Sequence, residues 1–306
     1  MKRDLRIVSF APAGTEMACH LGARRYLVGI SHNCDHPQEA LTLPRLTRTF
    51  IDDALPSDMI NYEVSKKLRD GLPLYEIESS ILRTLAPTLV LAQSQCSVCA
   101  VDAQQAANLG LPGAEVFGLR ANSLDEMLVE CEQLATRVIE LGGEIDNLAL
   151  ERLRDRVERL QQYSTNVRPR VLVVEWVAPL IAAGNWTPDL VERAGGESLF
   201  ASPGESSPVI EWAELCEADP DILVIAPCGF DLARSLLEAA PMRTFPGWND
   251  LSAVRQNRVF VSNGNGMFHR CGPRLIDTVE FIAAAIGEDQ SELARFAGSA
   301  KRWIQI

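Results

Sequence analysis

Two stretches of this 306-residue chain repeat one pattern, and that repeat constrains the fold more than any other feature. LRTLAPTLVLAQ (82–93) and LCEADPDILVIAP (215–227) each close a helix, place a proline and enter an apolar strand. Proline lacks the backbone N–H and its ring collides with the preceding turn, so each marks a passage from helix to strand. The echo extends outward. RIVSFAPAGTEMACHLG is matched by RVLVVEWVAPLIAAGN, and AEVFGLRANSLDEML by RVFVSNGNGMFHRCGPRLIDTV.

Strand-like runs alternate with helical patterns: LRIVSFA, YLVGIS, TLVLAQ and AEVFGL in the first half, then RVLVVEW, ESLF, DILVIAP and RVFVSNG. Unbroken Val, Ile and Leu runs between helices predict parallel strands covered on both faces. The expected class is α/β, with two similar Rossmann-like lobes, residues 1–143 and 166–306. Ser123 to Glu126 reads as a capping box, and Leu124, Leu128, Cys131, Leu134, Ala135 and Val138 follow helical spacing behind it until Gly142-Gly143.

Between the lobes, segment 144–165 contains EIDNLALERLRDRVERLQQYS. Ile145, Leu148, Leu153, Val157 and Leu160 form an apolar stripe, Asp155 can pair with Arg159, and no Gly or Pro interrupts the run. One long rigid helix is predicted, and with it a cleft whose walls move little.

The net charge of −12 argues against a nucleic-acid partner, which needs clustered Lys and Arg, and against anionic membrane surfaces. No apolar run reaches the roughly 18 residues that membrane insertion requires; the longest, VLVVEWVAPLIAAG, is broken by Glu175 and Pro179. The start, MKRDLRIVSFAPAGTE, has no apolar signal core, which predicts a cytoplasmic protein, or a periplasmic one if the N-terminus was trimmed. In a reducing compartment eight cysteines read as thiols rather than disulfides.

Ligands of open α/β sheets bind beyond the carboxyl ends of the strands. In the first lobe those loops are APAGTE, HNCDHP and SQCSVCAV, which would bring His32, Cys34, His36, Cys96 and Cys99 to one rim. In the second lobe they carry Trp176, Asn185, Trp186, Cys228, Phe230, Phe268, His269 and Cys271. A thiol- and imidazole-rich rim opposite an aromatic one suits a large, flat, partly apolar ligand that contains a soft or borderline metal.

Each feature has a plainer reading. Cys96-x-x-Cys99 alone fits a redox dithiol, half a metal site or two lining residues; a nearby helix N-terminus would lower a thiol pKa. Cys34, Cys96, Cys99 and one of His32 or His36 could complete a zinc site. The His32-x-Cys34-x-His36 spacing puts all three on one side only if the segment is extended. Cys19, Cys131 and Cys216 read as small helical core residues, His20 as a surface residue, Asp52-Asp53 as a solvated loop, and Gly264-Asn-Gly266 as turn geometry. The chain contains no G-x-x-x-x-G-K-[ST] and no G-x-S-x-G, and a non-enzymatic protein is expected.

RIVSFAPAGTEMACHLG, LVGISHNCDHP, LPRLTR, LYEIESSILRTLAPTLVLAQSQCSVCAV, RPRVLVVEW, GNWTPDLVERAGG, IEWAELCEADPDILVIAPCGF and RVFVSNGNGMFHRCGPRLIDTVEFIA run through almost the whole chain. In this order they resemble the class III periplasmic-binding-protein fold, the family of vitamin B12 and ferric-siderophore binding proteins. They are most similar to a leaderless cobalamin-binding group. The resemblance implies two lobes bridged by a long helix and a corrinoid (cobalamin-type) ligand between strand-end loops. Cys96, Cys99 and Cys34 become candidate cobalt ligands, with His32, His36 or His269 as substitutes, and Trp176, Trp186, Phe230 and Phe268 cover the ring. Zinc, iron or haem at the Cys34/Cys96/Cys99 cluster of a sensor, a ferric siderophore, or thiol-dependent chemistry on a corrinoid are the alternatives.

This sequence departs from the family at several points. Exported relatives dock on an ABC permease through one acid on each lobe; Ser80 and Ala213 stand at those places, with Glu78, Glu211 and Glu214 nearby. Asn185 replaces the histidine of an expected G-H-W, and Cys271 stands where R-P-G-P-R has proline.

Overall fold

Apolar runs in this chain become sheet centres because they can be covered on both faces. The computed structural model describes residues 4–94, 100–163 and 168–303. They divide into two units: residues 1–54, 62–121 and 125–155 make the first, and residues 55–61, 122–124 and 156–306 the second.

The first unit contains strands β1 (Ile7–Ser9), β2 (Leu27–Ile30), β3 (Thr47–Thr49), β4 (Tyr75–Ile77), β5 (Leu89–Gln93) and β6 (Glu115–Leu119). Its main sheet runs β2-β1-β5-β6, parallel throughout. Ile7, Val8, Leu89, Val90, Leu91 and Ala92 are all buried, as helices on both faces require. Val8, Phe10, Leu46, Leu82, Val90 and Ala92 share one core, each large side chain contributing about 1.5–3 kcal/mol by leaving water. β3 and β4 form a separate antiparallel pair that the sequence reading missed.

The predicted connector over 144–165 is shorter than expected. Its α-helix spans Asn147–Arg159 and continues as a 3-10 turn over Leu160–Tyr163. Asp146 stops it from starting earlier: its carboxylate accepts the Leu148 N–H at 3.0 Å and its carbonyl accepts that of Ala149. Leu153, Val157 and Leu160 are buried as the stripe predicts, whereas Leu148 is 58% exposed and Ala149 takes the inward position. The division between units falls inside this helix, after Asp155.

In the second unit lie β7 (Arg170–Val177), β8 (Leu180–Ala182), β9 (Glu197–Ser198), β10 (Ile222–Ile225), β11 (Val259–Ser262) and β12 (Ala300–Arg302). The sheet order is β12-β11-β10-β7-β8. β10 is parallel to β7 and β11, whereas β8 and β12 pair antiparallel. One edge of β7 is shared: β9 pairs with Arg170 and Val171, and β8 with the stretch from Val174 to Val177. Trp212, Trp248 and Trp303 pack together, so of the five tryptophans one is a core residue and two more pack against that core. Among the described residues no helix is long and apolar enough to cross a membrane.

Candidate functional site: the strand-end loops

Because β1 is parallel to both β2 and β5, the loops after these strands leave from one end of the first sheet. The β2 loop is Ser31–Pro37, the chain leaves β5 at Ser94, and β6 continues into Arg120 and Ala121. Cys96 and Cys99 lie outside the described residues.

The β2 loop does not hold His32, Cys34 and His36 on one side. The Cys34 N–H donates to the Ser31 carbonyl at 3.2 Å, so the segment turns and the i, i+2 alternation fails. Cys34 is buried, with its sulfur 3.1 Å from the hydroxyl of Thr15, itself buried in the helix Pro12–His20. Arg45 donates to the carbonyls of Ser31 and Cys34 and fixes the turn. His32 is half-buried: Thr47 Oγ1 receives its backbone N–H at 3.0 Å and lies 2.7 Å from its Nδ1, and Tyr75 stands 5.4 Å from its ring. Burial, reinforced by Arg45 and opposed by Asp53, holds its pKa below the usual imidazole value. His36 is exposed.

Burial pushes the Cys19 thiol up to about 12, and that of Cys131 likewise, which makes both inert at neutral pH. Among the described residues no group of three or more His, Cys, Asp or Glu side chains is placed to hold a metal ion. Cys19, Cys34, Cys131, Cys216, Cys228 and Cys271 are free thiols.

In the second unit, three loops meet at the carboxyl ends of β7, β10 and β11. The Ala226 N–H donates to Val174 and the Cys228 N–H to Glu175, both at 2.9 Å, extending the β10 loop along the end of β7. The loop after β11 wraps into a single π-turn, Gly264–Phe268, whose Asn263 side chain accepts the Gly266 N–H at 2.8 Å. A side chain at Gly264 has no room: a Cβ there would sit 2.0 Å from the Pro227 carbonyl oxygen. Backbone packing this close fixes His269, whose Nε2 meets the Ala226 carbonyl. A carbonyl can only accept, so Nε2 carries the proton and Nδ1 presents its lone pair 4.0 Å from a Glu175 carboxylate oxygen. Burial pushes the His269 pKa down to about 4, with the Ala226 bond opposing.

The aromatic expectations divide. Trp176 is half-buried, 5.3 Å from Phe230, and its Nε1–H donates to Ala178 at 2.9 Å and Ser57 at 3.2 Å. Phe230 lies between Trp176 and the Arg234 guanidinium, 4.9 Å above its ring. Trp186, also half-buried, donates to the Phe268 carbonyl at 2.6 Å. Phe268 itself is fully buried against Phe281, so its ring belongs to the core. Asn185 is a turn residue with φ 54, a conformation asparagine tolerates, and its carbonyl receives the Gly204 N–H at 2.8 Å. Cys228 is half-buried and Cys271 buried.

Three acids that hold loops in place escaped the sequence reading. Glu130 is buried, and one carboxylate oxygen accepts the N–H groups of both Arg120 and Ala121. The signal was available, since 130 follows 127 by three on an otherwise apolar helix face. Glu238 receives the Ser57 hydroxyl and N–H and pairs with Arg234 at 2.7 Å, while Arg234 also donates to the Leu55 carbonyl. Asp189 accepts the Leu124 N–H at 2.9 Å. The acids near the family docking positions are engaged locally: Glu78 with Arg48 at 3.0 Å, Glu211 and Glu214 in a reciprocal helix cap.

A family model described as periplasmic binding protein matches residues 7–264. The vitamin B12-binding protein of Vibrio cholerae is 24% identical over 280 residues, covering 90% of this chain and 87% of that protein. That of Pectobacterium atrosepticum is 22% identical, covering 92% and 88%. Among structures, the V. cholerae periplasmic vitamin B12 binding protein BtuF superposes with TM-score 0.67 at 23% identity, covering 93% of this chain and 98% of that one. A periplasmic heme binding protein from Pseudomonas aeruginosa gives TM-score 0.67 at 20% identity, covering 94% of each.

Proposed function

The chain belongs to the periplasmic binding protein family, and from that premise we propose that it is a non-enzymatic binding protein for a corrinoid of the cobalamin type. The observation that carries the reading is the likeness to vitamin B12-binding proteins along nine tenths of the chain, rather than over one motif. The strand-end loops support it physically. Trp176 and Trp186 offer flat, partly exposed apolar surface with their indole N–H groups already engaged, and buried Phe230 backs Trp176, which suits a large ring bound by contact.

His36 in the first unit and half-buried Cys228 in the second are each the candidate contact of their own loop, and His32 and Asn185 belong to loops of the same respective units. Thiolate ligation by Cys96 and Cys99 is a separable part of the proposal. Cys96→Ser with Cys99→Ser weakens corrinoid binding or shifts its visible spectrum, and an unaltered double variant removes that part. Six free thiols among the described residues favour a reducing, cytoplasmic setting, which cell fractionation tests.

Calorimetric titration with cyanocobalamin and dicyanocobinamide tests the main reading, together with elemental analysis of the purified protein. Heat of binding and co-purified cobalt support it; no heat with any corrinoid ends it. The superposition on a heme binding protein favours one rival, and haemin belongs in the same titration series. Stoichiometric zinc or iron without corrinoid binding would indicate a metal sensor instead.

A further inference from the structure

The rim of the first sheet carries a cation whose nearest acid, Glu130, is engaged with the backbone. Arg120 is the first residue after β6, is exposed, and its guanidinium has no hydrogen-bond or ion-pair partner among the described residues. The other rim arginine, Arg45, is tied to the backbone carbonyls of Ser31 and Cys34. We infer that Arg120 and Ser94 form an anion-recognition site for a phosphate or carboxylate substituent of the ligand, an inference that rests on the corrinoid reading for its ligand class.

Three observations place the site. First, Arg120 is held by its backbone rather than its side chain. Buried Glu130 accepts the N–H groups of Arg120 and of Ala121, and these bonds fix the loop while leaving the guanidinium exposed. Second, Ser94 is brought alongside, because its N–H donates to the carbonyl of Leu119 at 2.7 Å, one residue before Arg120. Third, Gly118 precedes Arg120 by two, and its Cα faces the same side as Arg120 Nε. A Cβ at Gly118 would lie 2.7 Å from Ser94 Oγ, 3.4 Å from the Ala103 methyl and 3.8 Å from Arg120 Nε, so hydroxyl and guanidinium flank the same point, with Ala103 as its apolar wall. Absence of a side chain at Gly118 keeps both donors from being covered there. A planar guanidinium fork with an adjacent O–H is suited to carboxylate and phosphate geometry.

Corrinoids supply such an anion from two sources: the phosphodiester of a nucleotide arm, or free carboxylates at the ring periphery. Titration of wild type, Arg120→Gln and Ser94→Ala with three ligands separates them. Cyanocobalamin has the phosphodiester, dicyanocobinamide has neither anion, and dicyanocobyrinic acid has peripheral carboxylates. Arg120→Gln should weaken a ligand bearing the recognised anion about 10-fold and leave dicyanocobinamide unchanged. Selective loss with cyanocobalamin identifies the phosphate, and selective loss with cobyrinic acid the carboxylate. Equal weakening of all three, or of none, overturns the site.

A ligand-independent arm keeps this separate from the function itself. Orthophosphate should shift the Arg120 Nε–H resonance, assigned by its loss in Arg120→Gln, whereas chloride at equal ionic strength should not. If wild type binds no corrinoid yet shows this shift, the corrinoid reading falls and the anion site stands. If neither arm responds, both fall.

Discussion

The sulfur of Cys34 and the hydroxyl oxygen of Thr15 lie 3.1 Å apart in the interior of the first unit, which withholds this thiol from solvent. Cys34, Cys131 and Cys271 are buried, burial raises the pKa of Cys19 and Cys216, and Cys228 is half-buried in the loop after β10. Brief alkylation followed by peptide mass spectrometry should therefore label Cys228 first among the described cysteines. Cys34 should be labelled only after denaturation, and early labelling of Cys34 would contradict the described packing.

His269 makes stability depend on pH with a defined sign. Its pKa is about 4 in the folded chain against an ordinary 6.5, so between these values the unfolded chain binds the extra proton. Stability is full above about 6.5 and falls as pH drops toward 4, by up to about 3 kcal/mol. The depressed pKa of His32 acts in the same direction. Urea unfolding at pH 7, 6, 5 and 4 measures the slope, and His269→Gln should flatten it.

Glu130 titrates the other way. Burial raises its pKa despite the two backbone N–H groups, and its second oxygen is buried without a partner. Its ionised form is disfavoured in the fold, so its contribution declines as pH rises from the ordinary carboxylate range through the raised pKa. Glu130→Gln keeps one oxygen to accept both N–H groups and removes the titration. The variant should gain on wild type from pH 5 to pH 8, while Glu130→Ala should lose about 1–3 kcal/mol at either pH. Parallel denaturant curves check both.

Gly264→Ala should be among the most damaging single-methyl changes. The added carbon meets backbone atoms of Pro227 and Ala226, which cannot rotate away as a side chain end would. Loss of about 3 kcal/mol or more is expected, with disturbance of the His269–Ala226 bond. Equilibrium unfolding measures the first effect and the His269 pH slope the second.

Much of the fold was legible because buried parallel strands announce themselves. TLVLAQ and DILVIAP, each following a proline, became β5 and β10 in the centres of their sheets. β3, β4, β8 and β12 were missed because three-residue strands such as TRT or AKR are too short for an alternation to be read. At the site, loop residues could be assigned to a rim, but not their direction. The turn from Ser31 to Cys34 sent a thiol inward, and a π-turn sent Phe268 into the core while His269 kept to the loop. Glu130 escaped although its spacing from Met127 puts it on the apolar face, because the backbone N–H groups it accepts cannot be read from sequence.

The second unit borrows seven residues, Leu55–Asn61, from far upstream in the sequence, and Trp176, Arg234 and Glu238 grip them. Gene-level dissection at the connector would therefore not yield two self-sufficient halves. A fragment beginning at residue 166 would lack the carbonyls of Leu55 and Ser57 and the hydroxyl that Glu238 receives. Co-expression or circular permutation that preserves this stretch is the route to studying either half alone.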